Sequence, residues 1–227
     1  LLSIDALAQA VDLLQIKADV SIVVGEDVPE HRRDVSCLKG RLKQPQAGQQ
    51  GIALLGRHAD GQIFLDDLAV FERANAVVPP GEDCGYREFF DSVDALVMGR
   101  GTFDLAVTFD PWPYGGKRVV VMTHAPATLA VPPALSASVS ATDESPAALV
   151  ARLSAQGAKH LYVDGGRTIQ SFLAAGLIDR ITITTVPVLL GSGLPLFGPL
   201  PGDVRLVLES TRSWPFGFVQ GTWRVER

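Results

Sequence analysis

The sequence predicts an α/β fold: a mixed, mostly parallel central sheet flanked by helices and finished by an antiparallel C-terminal section. Three observations carry this. From Gly51 onward, short apolar runs alternate with stretches of helical pattern, the mark of strand–helix–strand crossovers. The runs "DALVMG" (94–99) and "RVVVMT" (118–123) are almost continuously apolar, as expected of strands covered on both faces. Beyond residue 178, "DRITITTVPVLLG", "VRLVLEST" and "GFVQGTWRVE" follow one another without a helix between them, so these strands must pair antiparallel.

Residues 1–50 differ in character and read as an N-terminal extension and linker of unknown role. Ile4, Leu7, Val11 and Leu14 share one helical face, "VSIVVG" (20–25) has strand composition, and a polar stretch then ends in Gln, Gly and Pro. Residues 51–227 form the expected domain. Its strands in order are 51–57, 94–99, 118–123, 137–140 and 160–164, followed by the three C-terminal runs. Helices are expected over "YREFFDSV" (86–93), "TFDLAVTF" (102–109), "SPAALVARLSAQG" (145–157) and "RTIQSFLAAG" (167–176). The third has the best-marked ends, with Ser145 as cap, Pro146 at the first helical position and Gly157 just past the last turn. In the last strand Val219, Gly221, Trp223 and Val225 alternate with Gln220, Thr222, Arg224 and Glu226, a half-buried pattern.

With 227 residues, 47% hydrophobic, the chain can bury a sizeable core. A net charge of −5 argues against nucleic acid or an anionic membrane as partner. Charged residues or Pro interrupt every candidate membrane span, and "LLSIDALAQAVD" has neither a positive start nor a continuous apolar core. A cytoplasmic location is expected, with Cys37 and Cys84 as reduced thiols rather than a disulfide.

Three stretches can carry chemistry. "LVMGRGTF" ends a strand at Gly99 and opens a helix near Thr102, where free N–H groups and the helix dipole favour an anion, with Arg100 alongside. "GGKRVVVMT" sets Lys117 and Arg118 at the start of a buried strand and Thr123 at its end. "HLYVDGGRTIQSFL" puts Gly165 and Gly166 between a strand and a helix that opens with Arg167 and Thr168. Adjacent glycines there serve either a tight turn or the close approach of backbone to a pyrophosphate. Neither G-x-G-x-x-G nor G-x-x-x-x-G-K-[ST] occurs.

Taken together with "PVLLGSGLPLF" (187–197), these motifs resemble the dihydrofolate-reductase-like fold, and within it the reductase domain of bacterial riboflavin biosynthesis, the RibD C-terminal family. The resemblance spans about residues 51–227. It implies an NADPH-dependent oxidoreductase acting on a small pyrimidine or pterin-like heterocycle, and a homodimer. Gly99, Arg100 and Thr102 would hold cofactor phosphate and ribose, and Arg118 and Thr123 the 2′-phosphate side. Gly165 and Gly166 would approach the pyrophosphate, with a cis peptide between them as a possibility the resemblance carries, and Arg167 and Thr168 would complete the helix start. The family's first strand runs into Ser-Leu-Asp-Gly; the nearest stretch here is "RHADGQI", which keeps Asp60 and Gly61.

The catalytic candidates are Asp60, Asp83 and Glu88, with Asp91 near them; no spacing rule selects one. Trp112 and Tyr114 in "DPWPYGG" are apolar plugs, a dimer contact or an aromatic wall over the substrate. A fused deaminase would need H-x-E and P-C-x-x-C to hold zinc, and both are missing. His31, His58, His124 and His160 are scattered, so no metal site is expected. Two other functions fit the same motifs: a dihydrofolate or pterin reductase, and a nucleotide-binding module without turnover.

Overall fold

The computed structural model describes residues 19–23, 78–187 and 196–226. The described elements are β1 (Asp19–Val23), α1 (Tyr86–Ser92), β2 (Ala95–Gly99), α2 (Arg100–Ala106), β3 (Arg118–Met122), β4 (Val139–Thr142), α3 (Pro146–Ala155), β5 (His160–Asp164), α4 (Gly166–Ala174), β6 (Arg180–Thr185), β7 (Leu206–Ser213) and β8 (Val219–Val225). All eight strands join one sheet in the order β4-β3-β2-β5-β1-β6-β8-β7. The mixed α/β class expected from the sequence is what the structure shows.

Strands β4, β3, β2 and β5 pair parallel. From β1 onward every pairing is antiparallel, so that character begins in mid-sheet and is not confined to the C-terminal section. Strand β1 lies between β5 and β6, with Val20 opposite both Val163 and Ile181. These five residues, read above as part of an extension, thus belong to the same sheet as the C-terminal strands. The boundary placed at residue 50, and the strand expected over 51–57, lie outside the described residues.

Alternation along the parallel strands sends side chains to opposite faces. Ala95, Val97, Val120, Leu161 and Val163 pack with Leu149 and Leu153 of α3 and Ile169 and Phe172 of α4. Leu96, Met98, Val119, Val121 and Tyr162 pack on the other face with Phe103 of α2 and against Phe89 and Phe90 of α1. Both faces of this half are therefore covered. Leu149 and Leu153 are completely buried, each contributing about 1.5–3 kcal/mol of transfer free energy.

Helix α3 forms as its ends predict: the Ser145 hydroxyl accepts the Ala148 N–H at 3.3 Å, and Gly157 adopts φ 91°. Helix α1 is closed by Lys117, whose ammonium donates to the carbonyls of Phe90 and Val93 and lies 4.5 Å from the Phe90 ring centroid. A cation at this end suits the helix dipole. Strand β4 begins two residues later than expected, and α2 begins at Arg100 directly after β2 with no linking turn. In β8 the expected alternation holds for buried Gly221 and half-buried Trp223, whereas Val219, the strand's first residue, is 50% exposed.

Candidate functional site

Two neighbouring parallel strands, β2 and β5, end at the same edge of the sheet, with Met98 opposite Asp164. Each runs straight into a helix, so the starts of α2 and α4 lie side by side. Open α/β sheets bind ligands at the carboxyl ends of their parallel strands.

The glycines make this junction. Gly165 has φ 91°, a conformation L side chains rarely adopt, and a Cβ on it would fall 2.6 Å from Thr102 Oγ1. A Cβ on Gly99 would fall 3.0 Å from Thr168 Oγ1. The two turns interlock, each glycine receiving the threonine of the other helix. Gly166 differs: it has no positive φ, nothing lies within 4 Å of where its Cβ would be, and it is exposed. Nothing in the packing of the described residues demands glycine there. The first intrahelical N–H of α4 is that of Ile169, which bonds the Gly165 carbonyl at 2.9 Å, so the N–H groups of Gly166, Arg167 and Thr168 have no intrahelical acceptor.

Arg100 opens α2, and its Nε lies 3.1 Å from both carboxylate oxygens of Asp104, while Nη1 donates to Thr128 Oγ1 at 3.2 Å. The ion pair is open to solvent, its side chains 40% and 53% exposed, and such pairs hold a guanidinium weakly. Thr123, just past β3, accepts the Ala125 N–H through its hydroxyl at the same edge of the sheet. Arg167 is exposed at the start of α4.

Arg118 is not at this edge. It is the first residue of β3, paired with Ala95, whereas Gly99 pairs with Met122; Arg118 is thus a strand's length, roughly 13 Å, from Gly99. Parallel strands put all their first residues at one edge and their last at the other, so Arg118 and Thr123 cannot serve one phosphate. The Gly165–Gly166 peptide is trans, since Asp110–Pro111 is the one cis bond among the described residues. Gly165 makes the turn with a φ of 91°.

The candidate carboxylates separate. Asp60 lies outside the described residues. Asp83 caps α1, accepting the N–H groups of Gly85 at 2.9 Å and Arg87 at 3.2 Å. Glu88 is exposed on α1 and makes no hydrogen bond or ion pair with the described residues. Both border a cleft with Arg212, and Glu88 also lines an adjoining polar cavity of about 310 Å³ with His160, Arg180, Thr182 and Gln220. No junction residue lines either space.

Sequence reasoning passed over one carboxylate. Asp164, 9% exposed, accepts the Gly165 N–H through Oδ1 at 2.7 Å. The signal was an acid closing an apolar strand directly before the glycines. Tyr114, 3% exposed, and Trp112 are packed inward, as plugs. Burial pushes the Tyr114 phenol well above its ordinary range, with the Asp164 charge adding to it. Cys84 has no disulfide, and burial, reinforced by Glu82 and Asp83, raises its thiol to about 11. No group of three or more His, Cys, Asp or Glu suited to a metal ion occurs among the described residues.

This sheet and junction fall inside a match to the RibD C-terminal domain over residues 86–219. The chain belongs to the RibD C-terminal domain family. A crystal structure of a Shewanella sp. PV-4 protein assigned to riboflavin biosynthesis is 35% identical to it, with a TM-score of 0.65, covering 78% of this chain and 96% of that one. Two Bacillus subtilis proteins are also similar, both uncharacterized. YwjB is 31% identical over 134 residues, 58% of this chain and 74% of its own. YyaP is 26% identical over 149 residues, 61% and 77% respectively. Membership makes the chain a member of a reductase family. Among the described residues no helix is long and apolar enough to cross a membrane.

Proposed function

We propose that this RibD C-terminal domain protein is an NADPH-dependent reductase of a pyrimidine or related heterocycle, of the kind that converts a ribosylamino-pyrimidine to its ribitylamino form in riboflavin biosynthesis. The observation that carries the cofactor half is Gly166: exposed bare backbone that no contact among the described residues requires, opening a helix whose first N–H groups have no intrahelical acceptor. That arrangement fits a nucleotide pyrophosphate. Gly166, Arg167 and Thr168 would hold it, Gly99 and Thr102 would shape the adjoining wall, and Arg100 with Thr123 would face the 2′-phosphate. Exchanging its exposed partner Asp104 for a phosphate leaves the Arg100 guanidinium with a stronger, forked acceptor. NADPH, when bound, supplies a hydride to the substrate.

The substrate half rests on the cleft bordered by Asp83, Glu88 and Arg212. There Arg212 offers a fork for a phosphate or carboxylate, and Glu88 an acceptor for ring N–H groups. Asp83 is committed to holding the start of α1 and orients that helix. Exposed Leu206 and Leu208 on edge strand β7 support the homodimer as a proposal that light scattering would test.

Titration with NADPH and with NADH, followed by tryptophan fluorescence, tests the reading. NADPH should bind at least tenfold tighter than NADH, and Arg100→Ala should close most of that gap. Binding of neither nucleotide refutes the reading; NADPH binding with no turnover of any pyrimidine or folate substrate reduces it to a nucleotide-binding module.

A further inference from the structure

Leu206, Leu208, Ser210 and Arg212 are alternate residues of β7, and in a regular strand they would share one face. They do not. Leu206 stands opposite Val225 and Leu208 opposite Trp223, whereas Ser210 stands opposite Thr222 and Arg212 opposite Gln220, because the register shifts between Leu208 and Ser210. A bulge at Glu209 therefore sends the two leucines to one face of the sheet and the serine and arginine to the other. Glu209 itself is engaged, its carboxylate taking Arg180 Nε at 2.8 Å. Bulges commonly re-aim side chains beside a functional site.

The face that Ser210 and Arg212 join is the one under α1. Thr182 of β6 stands opposite Thr222, and Thr184 opposite Gln220, so a band of polar side chains crosses three strands. Gly85, Glu88, Phe89 and Ser92 lie over it, at the spacing of one helical face. Among the described residues that line the cavity of about 310 Å³ between them, Phe89 has the one hydrocarbon side chain.

Much of the hydrogen-bonding capacity in this cavity is unused. Thr182 and Thr222 share one bond, Oγ1 to Oγ1 at 3.1 Å, which leaves a hydroxyl proton and several lone pairs. Gln220 donates its amide nitrogen to Thr184 Oγ1 at 2.9 Å and to the Cys84 carbonyl at 3.3 Å, so its amide oxygen is left over. The side chains of Glu88, Ser210 and Arg212 make no hydrogen bond or ion pair with the described residues. Hydroxyl, amide, carboxylate and guanidinium groups beside a single aromatic ring suit a chain of hydroxyls, each of them donor and acceptor at once. An aryl tail would strip water from the same groups and return no hydrogen bond.

We propose that this cavity binds a polyhydroxylated group, a pentose or a pentitol, with Thr182, Ser210 and Thr222 as its specificity-determining residues. Glu88 and Arg212 line both this cavity and the cleft beside Asp83, so a ring held in the cleft can extend such a tail into the cavity. That the group is the tail of a substrate rests on the reductase reading above; the cavity's preference for hydroxyls does not.

The test titrates the full-length chain calorimetrically with a ribitylamino-uracil and with the methylamino-uracil that lacks only the polyol chain, NADPH being titrated in parallel. The ribityl form should bind at least tenfold tighter. Thr222→Val, which exchanges the hydroxyl for a methyl, should reduce that gap to threefold or less while leaving the affinity for the methyl form unchanged, a split that general loss of structure does not produce. Thr222→Ser should restore the gap. Should Thr222→Val fail to fold, Thr182→Val takes its place with the same expectation. Equal affinity of wild type for the two pyrimidines, or an undiminished gap in the valine variant, overturns the proposal. If neither pyrimidine binds, ribitol alone decides: saturable binding that the valine variant weakens upholds the cavity while the pyrimidine reading fails, and no binding overturns the proposal. A ribityl gap in a wild-type chain that binds no NADPH upholds the cavity and refutes the reductase reading.

Discussion

The Cβ that Gly165 lacks would fall 2.6 Å from Oγ1 of Thr102, whereas nothing lies within 4 Å of the corresponding point at Gly166. Among the described residues, then, packing demands glycine at the first of these two adjacent positions and not at the second. Gly165→Ala should be strongly destabilising, because a side chain at φ 91° costs about 1–2 kcal/mol before any clash is counted. In a thermal-denaturation cycle, Thr102→Ala should recover part of the loss.

Gly166→Ala should do the opposite. At a helix position without a positive φ, alanine stabilises by about 0.4–1 kcal/mol through the unfolded chain. The same methyl would stand between the backbone and a bound nucleotide. Melting temperature should rise slightly while NADPH affinity falls at least tenfold; equal affinity would remove the argument for close approach at this residue.

Arg100 and Arg118 make a matched pair, since they lie at opposite edges of the same parallel strands. Arg100→Ala should lower NADPH affinity with little effect on NADH. Arg118→Ala should leave both unchanged, and a selective loss there would return the 2′-phosphate to the other edge.

His160 predicts a pH effect. Burial is the largest influence on its imidazole and holds the pKa below the ordinary 6.5, against the opposing pull of the Ser92 carbonyl. The unfolded chain then binds a proton more readily than the folded one. Stability should fall as pH drops through 6.5 and level off below the folded-state value. His160→Gln should flatten that stretch of the melting-temperature profile. Asp94, whose pKa the backbone N–H groups of His160 and Lys159 lower, should add a second loss at more acid pH, as its folded-state value is crossed.

Cys84 should be inert. With its thiol raised to about 11, almost none is thiolate at neutral pH. In a Cys37→Ser background, a disulfide reagent should label the native chain far more slowly than the unfolded one; comparable rates would mean the site opens readily.

Much of this was readable in the sequence because local signals and tertiary demands agree. Ser145, Pro146 and Gly157 bracket α3, and unbroken Val and Leu runs mark strands buried on both faces. The junction was visible as strand-Gly-helix, twice. Arg118 was misplaced because a basic residue beside a strand does not say which edge of the sheet it occupies; that follows from pairing direction, set by residues far away. Asp83 and Glu88 looked alike as helix carboxylates, and only the turn at Cys84, with φ 53°, shows that one of them holds a helix start. Tyr114 sits in a Pro/Gly loop that gives no sign of depth, so its burial could not be seen.

The placement of β1 bears on how the molecule is made. Asp19–Val23 is flanked by partners near residues 160 and 180 on either side, so a segment synthesised early must wait for partners that leave the ribosome far later. Before they arrive, its strand edges stand open to other chains. Closing so distant a contact is slow, and the sheet's two halves are joined only when this one short piece is in place. The nascent chain thus holds back its central seam until residues 160–182 have been translated.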